Sequence, residues 1–355
     1  MMINTVFIVW LCFLFIIPLK SYAGETIVDM AGRHVALPQE VSRVVAISGA
    51  LRLITYLDGL DKIVGVEGIE RRMSQDAMRP YSMVVKERLN DIPTIGEGGG
   101  GRIPDFERLV AVKPQLIITS DPNISNAELI QSKTGIPVLV ITYGNIGVLE
   151  LDKFYASLRL LGKVFKKEKR AEEVVSFINK AVVDINKRTS NIQTKKKVYI
   201  GGLGYRGAHG ITSTQGHYPP FQWVNALNVA YDESRQGPYF IEKEQLIRWN
   251  PDFIFIDNGG LGIVKADKKE QVLKSELKAV RDKKVFITLP YNNYYTNIEY
   301  ALSNSYFIGK TVYPDRFYEI DIYKKTDEIV RFMLGKSLSD FIKKDTMAFK
   351  PYDLK

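Results

Sequence analysis

The feature that most constrains this chain is a repeat. Glu107-Arg108-Leu109-Val110-Ala111-Val112-Lys113-Pro114-Gln115-Leu116-Ile117-Ile118 reads as a helix, a proline and a strand. Glu244-Gln245-Leu246-Ile247-Arg248-Trp249-Asn250-Pro251-Asp252-Phe253-Ile254-Phe255 reads the same way, with the glutamate, the apolar pair and the proline in matching places. A unit that recurs once in each half predicts two similar lobes. The cleft between such lobes is where a small ligand would bind.

The surrounding pattern alternates strands with helices. Glu25 to Pro38 reads as a hairpin around Ala31-Gly32. Strands are predicted over 43–47, 62–66, 114–119 and 137–142, with helices over 50–57, 104–112 and 124–133. After a helical stretch the alternation resumes, with strands over 197–201, 252–257 and 284–289. Helices are predicted there over 219–227, 242–249, 272–280, 298–310 and 321–334. This alternation argues for parallel sheets with helices on their faces. Between the halves, Leu151, Phe154, Leu158, Leu161, Phe165, Ala171, Val174, Val175, Ile178 and Val182 fall at mostly helical spacing, without proline and interrupted only by Gly162. The expectation is an α/β fold of two Rossmann-like lobes, each with a central, mostly parallel sheet, joined by a single long α-helix. Its parts are an N-terminal lobe over 24–148, a linking helix over 149–188 and a C-terminal lobe over 189–355.

The first 23 residues stand apart. Val6 to Ile17 is an almost unbroken apolar run, followed by the small-residue site Ser21-Tyr22-Ala23. This pattern predicts a signal peptide cleaved after Ala23, although Met1 to Thr5 carries no Lys or Arg; the alternative is an uncleaved anchor. Cys12 is the single cysteine and lies inside that run, away from a lipidation site. The mature chain is then expected to lack disulfides, thiolate metal sites and a cysteine nucleophile. The net charge is +9, but Lys195-Lys196-Lys197 and Lys166-Lys167 are isolated among acidic or apolar neighbours, and no basic stripe supports nucleic-acid binding.

Several segments carry a resemblance to a known family. They are Asp29-Met30-Ala31-Gly32-Arg33-His34-Val35-Ala36-Leu37-Pro38, then Ser42-Arg43-Val44-Val45-Ala46, the repeat, and the helical stretch between the halves. With these the chain resembles the periplasmic siderophore, haem and cobalamin binding proteins of ABC importers over nearly all of its mature length. The resemblance implies a rigid two-lobed receptor in the periplasm, a monomer that closes modestly on its ligand and docks on a permease dimer with its ATPase. It also implies that Glu107 and Glu244, one on each lobe, pair with permease arginines. Apart from the resemblance, two acids related by the internal repeat would match a two-fold partner, though any helix favours an acid near its N-terminus.

Ligand residues are sought at the C-terminal ends of the strands. The segment after the strand at 197–201 offers Tyr205, Arg206, His209 and His217; Arg206 could pair with an anionic chelator. Tyr291-Asn292-Asn293-Tyr294-Tyr295 follows the strand at 284–289 and suits a ferric ligand or stacking on an aromatic chelator. His209, His217 and Tyr294 are the candidate metal set. Tyr239 and Asn258 are weaker candidates, as are Ser48, Arg52 and the loop from Glu97 to Arg102. His34 reads as structural. Gly202-Leu203-Gly204-Tyr205-Arg206-Gly207 matches G-x-G-x-x-G, but its loop runs on to Pro219-Pro220 and lacks the downstream acid of a dinucleotide site. No zinc-protease, nucleophile-elbow or paired-acid motif points to an enzyme. The expected ligand is an iron complex, with a nickel chelate, haem or cobalamin as alternatives, and no catalytic cofactor. A metal-dependent cleft enzyme and a membrane-tethered scaffold are the competing classes.

Overall fold

The computed structural model describes residues 24–72, 79–99, 101–145, 147–267 and 275–354. The predicted leader and the start of the predicted helix at 272–280 lie outside them. A hairpin, β1 (Thr26–Val28) with β2 (His34–Ala36), precedes the first sheet. That lobe runs β3 (Val44–Ile47), α1 (Ala50–Tyr56), β4 (Ile63–Val66), α2 (Pro80–Leu89), α3 (Phe106–Ala111), β5 (Leu116–Thr119), α4 (Ile124–Thr134) and β6 (Val138–Val140). The four sheet strands are parallel, in the order β4-β3-β5-β6. β3, β5 and β6 are buried throughout, which is why they read as unbroken apolar runs rather than alternating ones.

Two helices follow, α5 (Leu151–Phe165) and α6 (Glu168–Thr189). The expectation of one helix over 149–188 is corrected here. Lys166 adopts φ 55 and caps α5, with the Lys167 N–H donating to Gly162 O at 2.7 Å. The two helices then pack against each other. Gly162 permits this, because a Cβ there would lie 2.9 Å from the Ala171 Cβ. Both helices carry apolar faces of one period, so periodicity does not reveal the reversal between them. The 22-residue α6 is the helix that leads into the second sheet.

The second lobe runs β7 (Lys197–Gly201), β8 (Ser213–Gln215), α7 (Pro219–Trp223), β9 (Leu227–Asn228), β10 (Pro238–Phe240), α8 (Lys243–Trp249), β11 (Phe253–Asp257), α9 (Leu261–Ala266), α10 (Lys278–Arg281) and β12 (Val285–Thr288). Its sheet is parallel in the order β12-β11-β7-β9, while β8 and β10 form a separate antiparallel pair. α11 (Ile298–Val312), α12 (Ile322–Leu334) and α13 (Ser339–Asp345) close the chain. α12 packs on α11 and reaches back to α1 and α2 of the first lobe.

The repeat is a structural repeat. α3 and α8 each end before a residue with positive φ, Lys113 at 47° and Asn250 at 43°, then a proline, then an inner strand of a sheet. One continuous core joins both lobes through α5, α6, α11 and α12. Separate cores cover the opposite faces of the first and second sheets. Among the described residues, no helix is long and apolar enough to cross a membrane.

Candidate functional site

The C-terminal ends of the two sheets converge. On the first lobe these ends place Ser48 after β3, Glu67 after β4, Ser120 and Asp121 after β5, and Tyr143 after β6. On the second they place 202–206 after β7, Asn258 after β11 and Tyr291 to Thr296 after β12. Contacts join the two sides directly. The Tyr294 hydroxyl donates to Glu67 Oε2, and the Tyr295 hydroxyl donates to Ser120 O at 2.9 Å. The Tyr295 ring stacks on Tyr143, with centroids 5.0 Å apart. Arg52 Nη2 donates to Asn293 O at 3.0 Å and to Asn297 Oδ1 at 2.8 Å. Gln215 Nε2 donates to Gly147 O at 3.1 Å.

The tyrosine segment is fixed at its root within the second lobe. The Tyr291 N–H donates to Asp257 Oδ2 at 2.7 Å, and Asn297 Nδ2 donates to Pro290 O at 2.8 Å. Its tip is strained, with Tyr294 at φ 53 and Tyr295 at φ 70. Non-glycine residues rarely hold that conformation unless surrounding contacts impose it. The receiving surface is shaped to match. Gly49 has φ +79, and a Cβ there would lie 2.5 Å from Tyr295 Cδ2, so only glycine fits.

Acids lie buried beneath the tip. Glu67 Oε2 also accepts the Ser48 N–H at 2.8 Å. Burial, reinforced by Glu70 and Asp121, pushes the Glu67 carboxyl up to about 8 against its hydrogen bonds. Glu70 accepts from the Tyr81 hydroxyl at 2.8 Å and from Ser82 Oγ at 3.0 Å. Arg52 is fully buried beside the rings of Tyr81 and Tyr143, at 4.6 and 5.7 Å. Burial also raises the Tyr294 and Tyr295 hydroxyls well above the ordinary tyrosine range, with Glu67 adding to the rise at Tyr294 and Asp121 at Tyr295. These phenols therefore hold their protons and act as hydrogen-bond donors.

The structure distributes the sequence-predicted residues unevenly. Tyr294 and Tyr295 lie at the lobe junction, as does Tyr205, whose ring approaches Gly147 of the first lobe. Arg206 is exposed, with its guanidinium 5.7 Å from the Tyr205 ring. Tyr291 does not open to the cleft: it is fully buried, with its ring 5.0 Å from Tyr218. Tyr239 packs against the outer core of the second lobe and donates its hydroxyl to Ala230 O. His209 has Nε2 2.7 Å from Tyr205 O and its ring edge on Phe240. His217 lies against Tyr231, with Nδ1 3.5 Å from Gln222 Nε2. His209, His217 and Tyr294 thus have separate surroundings and do not assemble as one metal set. Among the described residues, no group of three or more His, Cys, Asp or Glu could hold a metal ion.

Glu67, Glu70, Tyr81 and Tyr143 escaped the sequence reading. Glu67 follows a predicted strand, as the tyrosine segment does, but a single acid there carries no further signal in the sequence. Glu107 and Glu244 are exposed in the first turns of α3 and α8. Their symmetry follows from the repeat.

Two parallel α/β lobes, strand ends facing each other and polar loops at the junction define a two-lobed ligand receptor of the solute-binding class. The chain belongs to the periplasmic binding protein family, whose model matches residues 44–291. It is 24% identical over 344 residues to the molybdate-binding protein MolA of Haemophilus influenzae, covering 89% of this chain and 93% of that one. The petrobactin-binding protein YclQ of Bacillus subtilis is 22% identical, over 62% of this chain and 66% of its own. The fold matches the structure of MolA bound to molybdate with a TM-score of 0.71, at 20% identity over 88% of this chain and 99% of that one. It also matches Helicobacter pylori CeuE with Ni(II) bound, with a TM-score of 0.64, at 18% identity over 88% and 97%. Solute-binding proteins of this kind work with an ABC permease and its ATPase.

Proposed function

We propose that this chain is the receptor of an ABC importer and captures an anionic metal complex between its lobes, an iron chelate first. The observation that carries this reading is an exposed arginine in a loop of each lobe. Arg102 on the first lobe and Arg206 on the second are exposed and, among the described residues, have no ion pair. Tyr294 and Tyr295 keep their protons and donate hydrogen bonds with them to Glu67 and Ser120 O across the junction. Guanidinium donors suit carboxylate or catecholate oxygens.

Two relatives frame the ligand choice. YclQ is named for petrobactin, and MolA for molybdate. Molybdate is the second reading, favoured by the similarity to MolA along nearly the whole chain. A nickel chelate, haem or cobalamin remain alternatives of the same role. Titration calorimetry with a ferric catecholate–carboxylate chelate, sodium molybdate, nickel–histidine, haem and cobalamin separates them. Stoichiometric binding of the ferric chelate, weakened at least tenfold by Arg206→Ala, is expected. Tight molybdate binding with no response to the chelate would overturn the iron reading and keep the receptor.

The same proposal makes the chain a monomeric binding protein that converts nothing. It is exported by residues 1–23, and N-terminal sequencing of the periplasmic form should begin at Gly24. Glu107 and Glu244 dock the permease dimer. Reversing both charges should abolish uptake and leave ligand affinity unchanged; transport that survives would sink the docking assignment.

A further inference from the structure

The 291–297 segment is a loop rooted in the second lobe, with the Asn297 N–H donating to Tyr291 O at 2.9 Å, and its tip is held by the first lobe. Its root is held by Asp257, Asn297 and Asn304 in the second lobe, the last through Leu289 at 2.9 Å. Its tip is held by Glu67, Ser120, Tyr143 and Arg52 in the first lobe. Two adjacent non-glycine residues with positive φ mark the tip as a conformation that those contacts impose. We infer that 291–297 is a strap across the cleft whose tip, positioned by the Tyr294 hydroxyl on Glu67, covers that acid, so that the strap closes over the protonated carboxyl and loss of the proton favours opening, which returns the carboxylate to water.

The chemistry follows from the acceptor. Glu67 Oε2 receives two donors, the Ser48 N–H and the Tyr294 hydroxyl, so the proton belongs on Oε1. The charges acting on Glu67 from neighbouring segments are acidic: Glu70 in the turn after β4 and Asp121 after β5. Arg79 and Arg52 act on Glu70. From the overlying loop, Gly98 lies against the Glu67 side chain, Glu97 is engaged by Arg72, and Arg102 is exposed. From the strap itself only the neutral Tyr294 and Tyr295 face it. In the closed form burial holds the carboxyl up to about 8, whereas a solvated glutamate titrates at about 4.3. The closed state binds the proton more tightly. Its advantage is complete below about pH 4.3 and is lost as pH rises to about 8.

Hydrogen exchange read by mass spectrometry on the ligand-free full chain tests this between pH 6 and 9, with each rate divided by its intrinsic chemical rate. The wild-type peptide covering 290–299 should lose about a hundredfold protection over that range. Glu67→Gln should stay protected throughout. Tyr294→Phe should be as exposed at pH 6 as the wild type is at pH 9. Peptides of β11 should remain protected in all three. A wild-type strap whose protection ignores pH, or a Glu67→Gln strap that follows the wild-type profile, overturns the inference. If Glu67→Gln does not fold, the wild-type titration and Tyr294→Phe decide it. The test uses no ligand, so its failure is separate from failure of the iron-chelate reading.

Discussion

Glu67 and Asp257 are the same device used in two ways. Each is a buried acid at the C-terminal end of an inner or edge strand, and each accepts backbone N–H donors. Asp257 takes both of its donors, Gly259 at 2.8 Å and Tyr291 at 2.7 Å, from its own lobe. Glu67 takes one from its own lobe and one, the Tyr294 hydroxyl, from the opposite lobe. Burial raises both, Glu67 to about 8 and Asp257 to about 7. The difference teaches that burial alone makes a raised carboxyl. Whether that carboxyl reports on lobe position depends on where its donors reside. Asp257 fixes the root of the tyrosine segment, and Glu67 grips its tip.

The comparison can be broken from either end. The largest effect is expected at Arg52, whose guanidinium binds the strap from the first lobe while fully buried near Glu299. Arg52→Met leaves that acid without its cation and should cost about 3–5 kcal/mol in urea unfolding. A cost below about 1 kcal/mol would mean that the buried network relaxes freely. Asp257→Ala orphans two N–H groups at the strap root, at about 1–3 kcal/mol each. Asp257→Asn keeps an acceptor and should cost less. Gly49→Ala drives a methyl toward Tyr295 at a positive φ and should cost about 1–3 kcal/mol. It should also raise exchange of the strap tip while leaving the root protected.

Asp257 sharpens the comparison through pH. Its folded value of about 7 lies above the 3.8 of a free aspartate, so the native state holds the extra proton. The stability it confers is complete below about pH 3.8 and is lost as pH rises to about 7. Urea midpoints between pH 4 and 7.5 should therefore fall less steeply in Asp257→Asn than in wild type. Equal slopes would assign the pH dependence elsewhere. The smallest stability change belongs to Arg206→Ala, an exposed side chain, at under about 0.5 kcal/mol. Its effect should fall on ligand affinity instead.

Legibility followed chemistry that repeats. The α3–proline–β5 and α8–proline–β11 units were readable because an apolar strand, a helix face and a proline each leave a local pattern. The tyrosine segment was readable because three phenols after a strand are conspicuous. Glu67 was not, since a single acid after Val-Gly-Val looks like any solvated loop residue until the second lobe covers it. The α5–α6 turn was hidden for a related reason. Two amphipathic helices packed face to face present the same period as one long helix.

The sequence by itself determined the two parallel sheets, their repeat and the strand ends where a ligand site must lie, because hydrophobic periodicity and turn residues act over a few neighbours. Tertiary structure alone decided which of those loop residues meet. It turned Tyr291 inward against Tyr218, separated His209 from His217, and set Tyr294 on Glu67 from the far side of the cleft. Burial is a property of what packs over a residue, and for these residues the covering atoms come from chain segments remote in sequence.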